Sequence, residues 1–248
     1  MVSAGWREAL LVSAVLGLVT IVLVQPLRAK ADDDRQPGRR LSIQGVWQQL
    51  RLLARHAPLR RLTIASFIFA GAQACMFAFL VTYLVDHVGL DLVSAGMAYA
   101  AMHLIGVGAR IGWGWMADRM IPAGFVLAGL GAGSALFVVM VAQLDASWPY
   151  WSIIVIAAAV GATAASWNGV FLAEIVRAAP QGQIGAATGD SIFFTYFGLV
   201  VGPLIFSATI ALSGGYQLGF HLIAGAVFLA GLSILPRRDN LSTTPSSS

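Results

Sequence analysis

The sequence predicts an all-α membrane protein, a polytopic bundle of about seven transmembrane helices. Three observations carry this. Apolar residues make up 58% of the 248 and charged residues only 10%, with a mean hydropathy of +0.79. Soluble domains run nearer a quarter charged. The apolar residues gather in seven runs that approach spanning length. Nearly every charge lies between those runs.

A span needs roughly 20 residues, and lipid leaves a backbone no hydrogen-bond partner but its own, so each run reads as a helix. The first run, 9–27, follows Gly5-Trp6-Arg7 and ends in Pro26-Leu27-Arg28. Its single preceding base is balanced by Glu8, unlike the basic start of a signal peptide, so it reads as a span. A long connection follows, with Asp32, Asp33 and Asp34, then Arg39 and Arg40. Within it Ile43, Val46, Trp47, Leu50 and Leu53 fall at helical spacing while Arg51 and Arg55 fall elsewhere. That pattern fits an amphipathic helix on the inner leaflet, or equally a solvated linker.

The remaining runs are 62–85, 92–115, 122–143, 148–173, 186–212 and 217–235. Pro122 stands where a first helical position is expected, which suits its fixed φ and missing N–H. Gly214-Gly215 separates the last two runs, and Pro236-Arg237-Arg238 stops the last. The tail beyond is rich in Ser, Thr, Pro and Asn and reads as disordered. The expected organisation is an isolated helix (1–28), a cytoplasmic linker (29–61), a six-helix domain (62–236) and a tail (237–248). One helix before the long connection and six after it suggest that the first belongs to something preceding Met1.

Orientation follows from the bases. Alternating crossings put 14 of the 15 Lys and Arg on one side and only Arg7 on the other. The rich side is expected to be cytoplasmic, with the N-terminus outside and the C-terminus inside. The net charge of +4 does not read as a nucleic-acid surface, because the bases flank apolar runs rather than forming a solvated stripe. The single cysteine, Cys75, allows no internal disulfide. No Gly-Lys-Ser/Thr follows any glycine cluster, so no phosphate loop is present, and no cofactor is implied.

The stretch Arg110-Ile111-Gly112-Trp113-Gly114-Trp115-Met116-Ala117-Asp118-Arg119 holds Gly114-x-x-x-Asp118-Arg119 in a turn on the basic side. It resembles the signature loop of the major facilitator superfamily, G-x-x-x-D-(R/K)-x-G-(R/K)-(R/K). It departs after Arg119, where Met120 to Ala123 replace the glycine and basic pair, as suits the weaker second copy between family helices 8 and 9. The first run resembles family helix 6, the long connection the central cytoplasmic loop, and the other six runs helices 7 to 12. Ser166-Trp167-Asn168-Gly169, then Glu174, Arg177, Pro180 and Gly185 to Gly189, resemble the helix 10 to 11 passage of bacterial members. Gly202-Pro203 resembles the helix 11 kink. The resemblance implies half of a twelve-helix secondary transporter in a bacterial inner membrane. It also implies a missing N-terminal half, or a second copy, as partner.

The resemblance implies roles for particular residues. Asp118 and Arg119 are expected to latch a cytoplasmic gate, with Arg110, Gly114 and Asp118 on one helix face. The bland reading is turn capping. Glu174 is a candidate to pair with Arg110, Arg119 or Arg177, the last as a local i, i+3 pair. Gln73, His103, Asn168, Thr195 and Tyr196 are candidates to line the cavity, each of them alternatively interhelical glue. Asp190 and His103 are candidates for proton coupling, because an intramembrane carboxylate or imidazole is costly unless used. For Asp190 the favoured reading is a carboxylate near the start of its helix. Trp167 is a stacking wall or lipid-facing. The series Gly106, Gly108, Gly112, Gly114 is expected to allow close helix approach. His87 and His221 read as structural, and Trp148, Tyr150 and Trp151 as an aromatic belt.

Two other classes, an intramembrane enzyme and a retinal protein, fit the sequence poorly or not at all. Ser134 and His221 resemble the pair of a rhomboid protease, but the expected Gly-x-Ser-Gly is broken by Ala135. A retinal protein needs a lysine within a helix, and the only lysine, Lys30, lies in a connection. The solute expected is a small molecule, with a lean towards organic anions. A non-transporting relic is the other reading.

Overall fold

A computed structural model describes residues 6–31, 56–180 and 183–235. The expected amphipathic helix at 43–53 and the tail at 237–248 fall outside the described residues. The chain divides into two units, Met1–Gly45 and Val46–Ser248. In the first, α1 runs Trp6–Ala31 with Pro26 inside it. Its apolar stretch, Leu10–Pro26, is shorter than the six candidate spans of the second unit.

The second unit carries α2 (Ala57–Asp86), α3 (Leu92–Arg119), α4 (Ala123–Ala142), α5 (Tyr150–Ala164), α6 (Asn168–Ala178), α7 (Ile184–Ser213) and α8 (Gln217–Ile234). With α5 and α6 taken as one crossing, six of its segments are long and apolar enough to span a bilayer. The described residues form no strand. The helix starts and stops have local causes. Asp91 caps α3 through Oδ1, which accepts from the Val93 and Ser94 amides at 3.0 and 3.1 Å. Hydrogen bonds from the Ser94 side chain and backbone hold the Asp91 carboxyl below its ordinary range. Gly214 ends α7 at φ +71°, a left-handed conformation that glycine adopts without strain. Pro122 sits one residue earlier than expected: it is the cap, with ψ 134°, and α4 begins at Ala123.

Helices pack in pairs, α2 on α7, α4 on α8 and α3 on α5. Small residues set these seams, as they do where no hydrophobic force drives helices together. Gly71 of α2 meets Gly198 and Gly202 of α7; Gly131 of α4 meets Gly231 of α8; Gly106 of α3 meets Gly161 of α5. The expected glycine series on α3 is corrected here. Only Gly106 makes a close approach, whereas Gly108, Gly112 and Gly114 face open space. Tyr83 ties α2 to the end of α4, its hydroxyl donating towards the Val141 and Leu144 carbonyls at 2.8 and 3.0 Å.

One span is not a single helix. The run expected at 148–173 breaks at residues 165–167 into α5 and α6. A break at membrane depth must have its freed carbonyls paired again. Two side chains of α3 do this: Arg110 Nη2 donates to the Ala165 carbonyl at 2.8 Å, and Trp113 Nε1 to the Ala162 carbonyl at 2.7 Å. The Ser166 hydroxyl also turns back onto the Ala162 carbonyl.

Candidate functional site

The break places Trp167 and Asn168 side by side against α2. Trp167 is 2% exposed, held edge-on by Phe69 and Phe171 with ring centres 5.5 and 5.4 Å away. Its indole N–H donates to Gln73 Oε1 at 3.0 Å. Asn168 Nδ2 approaches the same oxygen at 3.5 Å, the edge of hydrogen-bond range. Trp167 is therefore neither lipid-facing nor a bare stacking wall; it is a buried donor to a polar partner.

Four of the five expected lining residues converge. Gln73 from α2, Asn168 from α6, and Thr195 and Tyr196 from α7 line one cleft of about 300 Å³, with Phe171, Ile192 and Leu199 among its apolar walls. No charged side chain lines it among the described residues. Tyr196 is exposed, so the cleft has an open side. A second cleft, of about 220 Å³ between α2, α7 and α8, is lined by glycines and apolar groups, with Thr209 and Cys75 the only described side chains there bearing a heteroatom. It offers little to orient a polar solute.

His103, the fifth candidate, is not among the residues lining the first cleft. Its ring sits 4.5 Å from Phe77 and 4.5 Å from Tyr99, and Nε2 is sealed without a hydrogen-bond partner. Asp190 is half-buried, with Oδ2 likewise sealed and unpartnered. It does not lie at the start of its helix. Gln183 is the cap and α7 begins at Ile184, so Asp190 is nearly two turns in. That corrects the helix-start reading.

Beside the cleft, hydroxyls join α2 to α7. Thr63 and Ser191 are 2.8 Å apart, and Thr195 Oγ1 is 2.9 Å from Ser66 Oγ. Thr195 also faces the Ser191 carbonyl at 2.8 Å, so its single proton serves two acceptors. Ser66 in turn donates to the Thr63 carbonyl at 2.9 Å. Thr195 is thus both lining and glue. Thr63, Ser66 and Ser191 were not singled out in the sequence, although each is a hydroxyl inside an apolar run.

At the other end of α3, Asp118 pairs with Arg177 at 3.0 Å, and Arg177 reaches Glu174 at 3.6 Å. The expected Glu174–Arg110 pair is not formed. Arg110 is engaged by the Ala165 carbonyl, and the local i, i+3 partner takes Glu174. Gly114 has open space around it, and no ion pair joins Arg119 to a described carboxylate. Ser134 is buried against Thr163 and Trp167, and His221 bonds the Gln217 carbonyl at 2.6 Å, so no Ser–His pair is built. No group of three metal-ligating side chains occurs among the described residues.

Comparison with known proteins adds the family. Residues 1–203 match the family described as Major Facilitator Superfamily. The chain is 31% identical over 171 residues to "Probable nitrate/nitrite transporter NarK2" of Mycobacterium tuberculosis, 66% of this chain and 42% of that protein. It is 26% identical over 234 residues to "Monocarboxylate transporter 13" of Rattus norvegicus, 93% of this chain and 52% of that protein. The chain spans about half the length of the curated relatives it matches.

Proposed function

The chain belongs to the major facilitator superfamily, and from that premise we propose that it serves secondary active transport of a small solute, coupled to a proton or another ion through alternating access. The observation that carries this reading is the convergence of Gln73, Asn168, Thr195 and Tyr196 on one open cleft from three helices. A small solute site is an apolar concavity with a few placed polar groups, and the cleft has that make-up.

The solute we favour is a small organic anion. Two lines support it: neutral hydrogen-bond donors in the cleft, and relatives named for nitrate/nitrite and monocarboxylates. The Asp118–Arg177–Glu174 group is the proposed gate element, with Gly114, Arg119 and Arg110 in the same signature stretch. Asp190 and His103 remain the proposed proton carriers, since each holds a buried polar atom with no hydrogen-bond partner. In this reading α2 to α8 form the C-terminal transporter domain, α1 is the sixth family helix, and the partner is a chain supplying family helices 1 to 5 or a second copy. The location is a bacterial inner membrane, N-terminus outside and C-terminus cytoplasmic.

A non-transporting chain with a structural role is the alternative. Reconstitution separates the two. The chain alone, and the chain with a complementary part supplying family helices 1 to 5, are placed in liposomes under a pH gradient, and uptake of radiolabelled acetate and of nitrate is followed. Uptake in either preparation supports transport. Absence of uptake in both, with the chain correctly inserted, refutes it and leaves the structural role.

A further inference from the structure

Trp167 has a second consequence for the cleft, resting on the reading of that cleft as the solute site. An indole nitrogen only donates, and it has no acceptor capacity. The group that faces it at 3.0 Å must therefore be the carbonyl oxygen of Gln73, not its amide nitrogen. Asn168 Nδ2 points at the same oxygen and reinforces that choice. Gln73 is only 8% exposed, so it cannot turn freely into water. Its amide nitrogen makes no hydrogen bond with any described residue, yet it is not among the sealed unpaired atoms. That nitrogen, with two N–H donors, is thus left for whatever occupies the cleft.

We infer that Trp167 is a positioning residue that sets the hydrogen-bonding polarity of the cleft: it holds the Gln73 carbonyl inward and the amide N–H outward, selecting solutes that present an acceptor. A carboxylate or another oxyanion fits; an isosteric group that leads with N–H does not. A free glutamine side chain shows either end of its amide to a ligand, because the two ends differ little in shape. A glutamine locked by a donor-only neighbour shows one. The packing of Trp167 between Phe69 and Phe171 keeps the indole nitrogen aimed at α2.

The test is binding to the purified full chain in lipid nanodiscs. Radiolabelled acetate is the probe, with unlabelled acetate and acetamidinium, a planar isostere with N–H groups and no acceptor, as competitors. Four proteins are compared: wild type, Gln73→Met, Trp167→Phe and the double variant. The wild type is expected to prefer acetate over acetamidinium. Gln73→Met should weaken acetate about tenfold, equivalent to about 1.4 kcal/mol. Trp167→Phe should weaken acetate severalfold without weakening acetamidinium, because only the 3.5 Å contact to Asn168 then opposes reversal of the amide. The double variant should be no weaker than Gln73→Met, since the two residues act as one unit.

Replacing Trp167 by its benzothiophene isostere, which removes the N–H and keeps the ring, should reproduce Trp167→Phe. That replacement carries the test where the phenylalanine variant does not fold. An unchanged acetate-to-acetamidinium ratio in either Trp167 replacement, an equal loss for both ligands, or additive losses in the double variant would overturn this inference and leave the solute site standing. A wild-type chain that binds neither ligand would overturn the solute site and the inference together.

Discussion

Adding one methyl group to Gly161 should do what the same change at Gly108 does not. Both glycines belong to the α3–α5 neighbourhood, yet only one is at a seam. An ideal Cβ at Gly161 falls onto the Met102 carbonyl oxygen and lies 2.7 Å from its carbonyl carbon and 3.0 Å from its Cα. Carbon atoms rest at about 3.5–4.0 Å, so α3 and α5 must part by the better part of an ångström. Parting costs packing along the seam, where Gly106 also lies against the Gly161 carbonyl at 3.0 Å from its own would-be Cβ. Overpacking of this kind costs about 1–3 kcal/mol, against a helix-propensity gain of at most about 1 kcal/mol for Gly to Ala. At Gly108 nothing lies within 4 Å, so only the gain applies. Thermal unfolding in mild detergent should show Gly161→Ala melting about 2–10 °C below wild type and Gly108→Ala at or slightly above it. Equal melting of Gly161→Ala and wild type, or a comparable drop for Gly108→Ala, would show that the α3–α5 seam is not where the structure puts it.

Four further outcomes are expected. Arg110→Leu strands the Ala165 carbonyl and should destabilise the chain by about 1–3 kcal/mol, with faster amide exchange around residues 165–169. Because Arg110 does not touch Glu174, Arg110→Gln and Glu174→Gln should combine additively in a stability measurement, and coupling between them would contradict the structure. Asp118 and Arg177 have side chains 63% and 49% exposed, so a double-mutant cycle on their pair should give under about 1 kcal/mol and shrink in high salt. Asp91 carries a pH signature. Its folded-state pKa lies below the ordinary 3.8, so its contribution is complete above that value and is lost as pH falls through the lower folded value. Asp91→Asn keeps a good cap without a titrating group, and melting curves on acidification should lose that component of acid sensitivity.

The spans were legible because lipid demands long apolar helices, and a composition of this kind offers no other way to satisfy the backbone. The break at 165–167 was not legible. The carbonyls it frees are taken over by the side chains of Arg110 and Trp113, about fifty residues earlier. Periodicity within one segment carries no information about such partners. Gln73, Asn168, Thr195 and Tyr196 were named because each is polar inside an apolar run, on a helix that the resemblance turns towards a cavity, and the structure brings them to one cleft. The sequence could not separate His103 from them, because depth along a helix does not say which way the face turns. For Glu174 it offered three arginines, and the nearest in the chain took it, as the short loop entropy of an i, i+3 pair favours. Gly106 to Gly114 share small size, but which of them meets a neighbour depends on where α5 crosses.

The break and the cleft are neighbours. Trp167 and Asn168, which follow the break, both approach Gln73 Oε1. Arg110 and Trp113 take up carbonyls freed at the turn. The signature stretch is thereby tied to the cleft through covalent neighbours: Arg110 is eight residues from Asp118 on the same helix, and its guanidinium grips the residue two before Trp167. On the opposite wall, Pro203 of α7 supplies no amide to the Leu199 carbonyl, and Leu199 lines the cleft. Gly198 and Gly202 bracket that missing bond and rest on Gly71. Both walls of the cleft therefore have weakened helical backbone at the same level, one with its carbonyls capped by arginine and tryptophan, the other with proline and glycines. A motion that alters the cleft is expected to bend at these two places before it disturbs the α4–α8 pair, whose Gly131–Gly231 seam lies away from the cleft lining.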